Sequence, residues 1–222
     1  MYLARTPDLL RPLYKDLLWS MPTTERVVHL TFDDGPAPRT TPWVLDTLAR
    51  HGAKATFFCI GRNVAMHPDL FARIRAEGHG VGNHTWDHRN GWRTSTFAYL
   101  RSVLLCQMVT GTSLFRPPYG KISREQVRAL QGRFRIVMWD VLSADFDTRI
   151  DGDRCIRNVV QNVRPGSIVV FHDSIKAAPR LRKALPAVLE NLTANDYRFV
   201  ALPGGTTGLP ASRQACIPPT RS

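Results

Sequence analysis

Residues 27–36 read VVHLTFDDGP. Apolar residues open the stretch and Gly35-Pro36 stops it, which is the pattern of a short buried strand ending in a turn. Two adjacent carboxylates, Asp33 and Asp34, stand where the strand stops. Along a regular strand neighbouring side chains point to opposite faces, so two adjacent Asp residues diverge. A bend at Gly35-Pro36 lets both reach one cleft. Taken alone, a solvated Asp-Gly turn is the better explanation of such a pair. The downstream sequence changes that.

From residue 27 to residue 202, strand and helix patterns alternate. Apolar runs predict strands at 55–60, 80–83, 135–139, 167–171 and 197–202. Between them, helices are expected behind a cap at Thr40 or Thr41 with Pro42 at the first position, and over 68–77, 94–109, 123–130, 153–163 and 179–192. Ser123 followed by Gln126 has the spacing of a capping box. RPPYG at 116–120 cannot be helical, because two prolines interrupt it. This alternation is the signature of an α/β fold in which helices wrap parallel strands, as a barrel or an open sheet. Asp33, Asp34, His84, Asp145 and His172 all follow strands, and the carboxyl ends of strands form the active face of such folds.

The flanks read differently. Residues 1–26 are expected to be a lead-in packed on the outside of the domain. Leu9, Leu10, Leu13, Leu17 and Leu18 lie near helical spacing there, and Pro12 interrupts the pattern. The domain itself is expected over 27–203, and a flexible tail punctuated by Gly and Pro over 204–222.

Composition narrows the function class. The 222 residues are 43% hydrophobic, ample for one core, and no segment is a transmembrane candidate. Net charge is +12 and the sequence pI is about 10.3. The basic residues are scattered, mostly as Arg, with no dense block and no aromatic-interleaved repeat, so nucleic-acid binding is not expected. Cys59, Cys106, Cys155 and Cys216 form no CxxC pair, which argues against a zinc knuckle or a redox motif. Arg11, Lys15 and Asp16 interrupt what a secretion signal would need as its apolar region. A cytoplasmic monomer is therefore expected, with envelope association as the alternative.

Two stretches carry chemistry beyond the paired carboxylates. HTWDH at 84–88 places His84 and His88 four residues apart, a spacing that brings two imidazoles to one side of a helical turn. Two His and one carboxylate with open positions make a metal site able to hold a reactive water, and Asp34 is the available carboxylate. His172 ends an apolar strand and becomes a proton donor if a leaving group lies within reach. His29, His51, His67 and His79 are given no role.

Five stretches in this order resemble the motifs of one family, the polysaccharide deacetylases of carbohydrate esterase family 4, which carry the nodulation-type chitooligosaccharide deacetylase domain. They are TFDDGP at 31–36, HTWDH at 84–88, RPPYG at 116–120, WDVLSADF at 139–146 and VFH at 170–172. The resemblance runs from residue 27 to residue 202 and implies a single-domain, deformed (β/α) barrel. It implies a divalent metal, Zn2+ first and Co2+, Ni2+ or Mn2+ next, held by the residues matching Asp34, His84 and His88. The implied reaction removes N-acetyl groups from N-acetylglucosamine units of a chitin-like or peptidoglycan-like glycan. In that scheme Asp33 is the base, His172 the acid, and Arg116 orients the base. Asp145 pairs with the acid, and the backbone N–H of Tyr119 faces the oxyanion.

Two positions depart from the family pattern. The fourth motif is D-S-x-D-W in many members, and here Leu142 and Phe146 replace its first Asp and its Trp. That bears on the sugar groove rather than on the chemistry. Trp86, Trp92 and Trp139 are candidates for stacking on sugar rings, with packing the competing role for Trp139. An O-acetyl esterase, a small-molecule amide hydrolase and a non-catalytic glycan-binding protein remain open alternatives at this point.

Overall fold

A computed structural model describes residues 3–7 and 15–205. The strand at the centre is β2 (Val27–Asp33), with every residue buried. It pairs in parallel with β3 (Thr56–Cys59), β8 (Ser167–His172) and β9 (Arg198–Phe199). β4 (Gly80–Asn83), β5 (Leu114–Phe115) and β6 (Arg135–Val137) extend the sheet beyond β3, with β1 (Leu17–Leu18) outside β6. β7 (Val141–Leu142) lies beyond β8 at the opposite edge. All these pairings are parallel, as the alternation of strands and helices requires.

Alternation along β2 sorts its side chains into two layers. Val28, Leu30 and Phe32 face helices α1 (Thr41–Arg50), α6 (Gly152–Val160) and α7 (Ala178–Ala194). There Phe32 stacks between Phe57 and Phe171, with ring centroids 5.1 and 6.0 Å away. Such pairs contribute about 0.5–1.5 kcal/mol each beyond area burial. The other set, His29, Thr31 and Asp33, faces the inside of the curl, where Phe58, Leu114, Val137, Ile168 and Leu202 form a second core. A polar line therefore runs through the barrel interior and ends on Asp33.

The sheet curls toward closure, with no ladder joining its two ends among the described residues. β6 passes through Met138, Trp139 and Asp140 directly into β7, carrying the chain from one edge to the other. The N-terminal segment covers this seam. Leu17 and Leu18 pair with Ile136 and Val137, the Met21 N–H donates to the Gly166 carbonyl at 2.8 Å, and Thr6 N–H donates to the Asp140 carbonyl at 3.0 Å. The helical spacing read over Leu17 and Leu18 is thus overruled, because β6 offers unpaired backbone that a two-residue strand satisfies. Leu9, Leu10, Leu13 and the tail from residue 206 lie outside the described residues.

Four further helices complete the wrap: α2 (Gly61–Met66), α3 (Pro68–Ala76), α4 (Thr96–Thr110) and α5 (Arg124–Leu130). α5 begins with the expected capping box between Ser123 and Gln126. α1 starts with Pro42 in its first turn as expected, but Thr40 makes no side-chain cap, and the Thr41 hydroxyl is drawn to Asp173 instead. No described helix is long and apolar enough to cross a membrane.

Gly82 on β4 is fixed by packing, since a Cβ there would overlap the Phe58 ring. Gly82→Ala should cost about 1–3 kcal/mol through overpacking. Urea denaturation checks this, and an unchanged midpoint would mean that the ring moves freely.

Candidate active site

β2 ends at Asp33, and the next residue, Asp34, adopts φ +81°. This left-handed turn, unusual for a residue with a side chain, separates the two carboxylates. Asp33 stays inside the barrel, and Asp34 swings out toward His84 and His88. Asp173 secures the bend. Its buried carboxylate accepts the Gly35 N–H at 3.0 Å and the Thr41 hydroxyl at 2.5 Å, and its own N–H donates to the Asp33 carbonyl at 3.1 Å. Burial, together with the nearby Asp34 charge, pushes the Asp173 carboxyl up to about 7 against those hydrogen bonds. Sequence reasoning gave Asp173 no role; its one visible signal was an acid directly after His172.

His84 and His88 do converge, with ring centroids 5.1 Å apart. They do so from a loop, not from a helical turn. Thr85 and His88 have φ of +63° and +57°, which breaks any helix. Side chains hold the loop: Asn83 Oδ1 accepts the Thr85 N–H at 2.9 Å, and Ser102 donates to Asp87 Oδ1 at 2.6 Å.

The ligating atoms of Asp34, His84 and His88 all lie within 4.8 Å of one another. Asp34 Oδ1 is shielded from solvent and accepts no well-directed hydrogen bond, although His88 Nε2 lies 3.1 Å away. His84 Nδ1 lies 2.8 Å from the Arg116 carbonyl, which can only accept, so the proton sits on Nδ1 and Nε2 is free to ligate. His88 Nδ1 is likewise engaged, 3.1 Å from the Tyr119 hydroxyl. Burial pushes the His84 imidazole down to about 4, so it is neutral near pH 7, as a metal ligand must be. Asp34 is held well below the usual carboxylate range. Burial opposes this, but the close approach of His88 and the positive charge of nearby His172 prevail. An orphaned carboxylate oxygen facing two free imidazole nitrogens fits a divalent cation with an open coordination position.

Arg116 is wholly buried beside Asp33. Its Nη1 donates to Asp33 Oδ1 at 2.7 Å and to Thr31 Oγ1 at 2.6 Å. Nη2 and Nε donate to the carbonyls of Met138 and Val137, at 2.9 and 3.3 Å. The guanidinium lies 4.1 Å from the centroid of the Phe58 ring.

His172 pairs in register with Asp33 on the neighbouring strand. Asp145 Oδ1 lies 2.7 Å from its Nδ1, and Asp145 Oδ2 accepts its backbone N–H at 2.8 Å. Burial lowers the imidazole, but the Asp145 charge and hydrogen bond, with Asp34 and Asp33 behind them, raise it to about 9. The eight residues singled out from sequence, Asp33, Asp34, His84, His88, Arg116, Tyr119, Asp145 and His172, thus form one connected cluster.

The family model for polysaccharide deacetylases matches residues 20–133. The chain belongs to the polysaccharide deacetylase family. It is 34% identical over 195 residues to a peptidoglycan-N-acetylglucosamine deacetylase of Bacillus cereus, covering 83% of this chain and 70% of that protein. To a chitooligosaccharide deacetylase of Bradyrhizobium it is 40% identical over 157 residues, covering 67% of this chain and 71% of the relative. The solved Bc1960 peptidoglycan N-acetylglucosamine deacetylase superposes with a TM-score of 0.81 at 33% identity, over 89% of this chain and 95% of the other. The curled parallel sheet found here is this family's fold.

The two departures from the deacetylase motifs have distinct environments. Leu142 packs with Ala144 and Val170 in a small apolar cluster. Phe146 sets its ring edge against His172, with centroids 5.3 Å apart. Trp139 lies partly buried beside Arg116, Trp86 lies against Gly61, and Trp92 is 67% exposed.

The raised His172 value links to stability. Its folded-state value lies above the unfolded value of 6.5, so the pairing stabilises fully below pH 6.5 and is lost as pH rises through about 9. The metal-free Asp145→Asn variant should be less stable than wild type at pH 6 by on the order of 3 kcal/mol, with the gap shrinking toward pH 10. Urea melts across pH test this; a gap that grows with pH would contradict it.

Proposed function

We propose that this protein is a metal-dependent hydrolase that removes the N-acetyl group from N-acetylglucosamine units of a peptidoglycan-like glycan. The observation that carries the proposal is the convergence in one cluster of a carboxylate and two-imidazole donor set with two poised pairs, Asp33–Arg116 and His172–Asp145. The activities of the peptidoglycan and chitooligosaccharide deacetylases to which the chain is similar support the choice of substrate.

Asp34, His84 and His88 would hold a divalent cation, zinc first, which when bound supplies an acidified water and a positive charge beside the acyl oxygen. Asp33 takes the proton of the attacking water. Arg116 holds Asp33 Oδ1, which leaves Oδ2 to do so. The Tyr119 backbone N–H, on the turn at φ +61°, donates to the oxygen that gains charge. His172 is protonated near neutral pH, and Asp145 occupies its Nδ1, so Nε2 gives its proton to the departing nitrogen. The C–N bond breaks as the amine forms, and acetate leaves with the oxygen of the water.

Asp33→Asn should keep its bound metal and lose acetate release by about 100-fold or more, the usual scale for a general base. Metal content and acetate release from N-acetylglucosamine oligomers are the measurements, and near-wild-type release with metal bound would remove Asp33 from the mechanism. His172→Ala should depress amide hydrolysis at least tenfold more than hydrolysis of an activated acetyl ester, whose leaving group needs no proton. Equal losses on both substrates would exclude the acid role.

A further inference from the structure

Two chain segments leave the metal-ligand cluster side by side and meet again at a second cavity. From His88 the chain runs through Arg89, Asn90 and Gly91 to Trp92. From Tyr119, which touches His88, the next residue is Gly120. Trp92 and Gly120 both line a cavity of about 460 Å³, together with Trp19, Met138, Arg124 and Arg128. The volume is of the size that holds a small ligand.

The cavity walls are prearranged. The Trp92 indole N–H donates to the Ile122 carbonyl at 3.1 Å, which fixes the ring; the residue is 67% exposed, and Lys121 Nζ lies over one face of the ring, 5.3 Å from its centroid. Gln126 donates to the Gly91 carbonyl at 2.9 Å and accepts the Ser123 N–H at 3.0 Å, so the Trp92 loop is fastened to the start of α5. A Cβ at Gly91 would collide with the Lys121 carbonyl, which shows how closely the two segments run. Ordering an exposed aromatic in this way lowers the entropy lost when a ligand covers it.

Arg124 and Arg128 are one helical turn apart on α5, so both guanidinium groups reach the same rim. Both are exposed, and neither meets a carboxylate among the described residues. Asp16 also lines the cavity without pairing with either. Indole faces suit the apolar side of a pyranose ring. Unpaired guanidinium forks suit a carboxylate.

We propose that this cavity is a subsite for a carboxylate-bearing pyranose that neighbours the N-acetylated sugar in the active cleft. The inference rests on the glycan deacetylase reading and adds the chemistry of the adjacent unit. Trp92 and Trp19 stack on the ring, and Arg124 and Arg128 take the carboxylate. A glycan crossing Tyr119 and Gly120 would occupy both sites at once.

The test compares the parent with Arg124→Gln/Arg128→Gln on three disaccharides: N-acetylglucosaminyl-N-acetylmuramic acid, its carboxyl methyl ester, and chitobiose. Binding is measured by calorimetry in the metal-loaded Asp33→Asn background, and turnover by acetate release with Asp33 intact. The expected result is a loss of about tenfold or more in affinity, and a matching rise in KM, for the free acid alone. Ester and chitobiose should shift by about twofold or less, with kcat unchanged throughout. A disaccharide with a hexuronic acid in place of the muramic acid separates a ring carboxylate from a lactyl one; selective loss for either acid supports the subsite. Equal loss on all sugars, no loss on either acid, or a parent that binds ester and acid alike would overturn it. Failure of the function proposal is a separate result: no acetate is released from any sugar, while the binding comparison still reads the subsite.

Discussion

The buried guanidinium of Arg116 is the constraint on which the rest of the site depends. A cation inside a barrel is tolerable only if most of its N–H donors are matched and a carboxylate lies beside it. Thr31, Asp33, Val137 and Met138 provide that match, with the Phe58 ring beneath. One side chain therefore ties β2 to the end of β6 through the barrel interior. Removing one member of such a pair typically costs about 3–5 kcal/mol, because the other charge is left buried and alone. The same bonds orient the carboxylate that the chemistry needs, so fold and base share one support.

Charge balance explains how so many carboxylates coexist in a single cleft. Asp33 is matched by Arg116, and Asp145 by a protonated His172. Asp34 faces two imidazoles whose other nitrogens are engaged, leaving it to a cation. Asp173 has no cationic partner among the described residues and is instead raised toward neutrality, where it serves as a backbone clamp. Each acid is given a different state by its surroundings, although Asp33 and Asp34 are neighbours in sequence.

Much of this was legible in the sequence where local rules suffice. The β2 stretch, the capping box at Ser123 and Gln126 and the alternation of strands and helices depend on near neighbours, and the structure keeps them. The motif residues converge because each follows a strand in one parallel sheet. Elements too short for periodicity were missed: β5 and β7 have two residues each, and α2 six. The spacing of His84 and His88 suggested a helix, but left-handed φ values at Thr85 and His88 dictate a loop, and no pattern of apolar residues announces those. Thr41 looked like a helix cap, and its hydroxyl goes to an acid 132 positions away. Leu17 and Leu18 form a strand for a reason equally distant, the open edge of β6.

That edge has a consequence for how the protein fails. The seam between β6 and β7 is covered by a thin N-terminal strap, held by backbone bonds at Ala4, Thr6, Leu18 and Met21 and by the side chains of Leu17, Leu18, Trp19 and Met21. A two-residue edge strand opens at lower free energy than a central strand. The crossing beneath the strap includes Met138, whose carbonyl is one of the acceptors that hold Arg116. Fraying of the strap would thus loosen the guanidinium and leave Asp33 misaimed while β2, β3 and β8 stay paired. Heat would silence such a protein before it melts it, and the temperature of inactivation would be a property of the seam, not of the barrel.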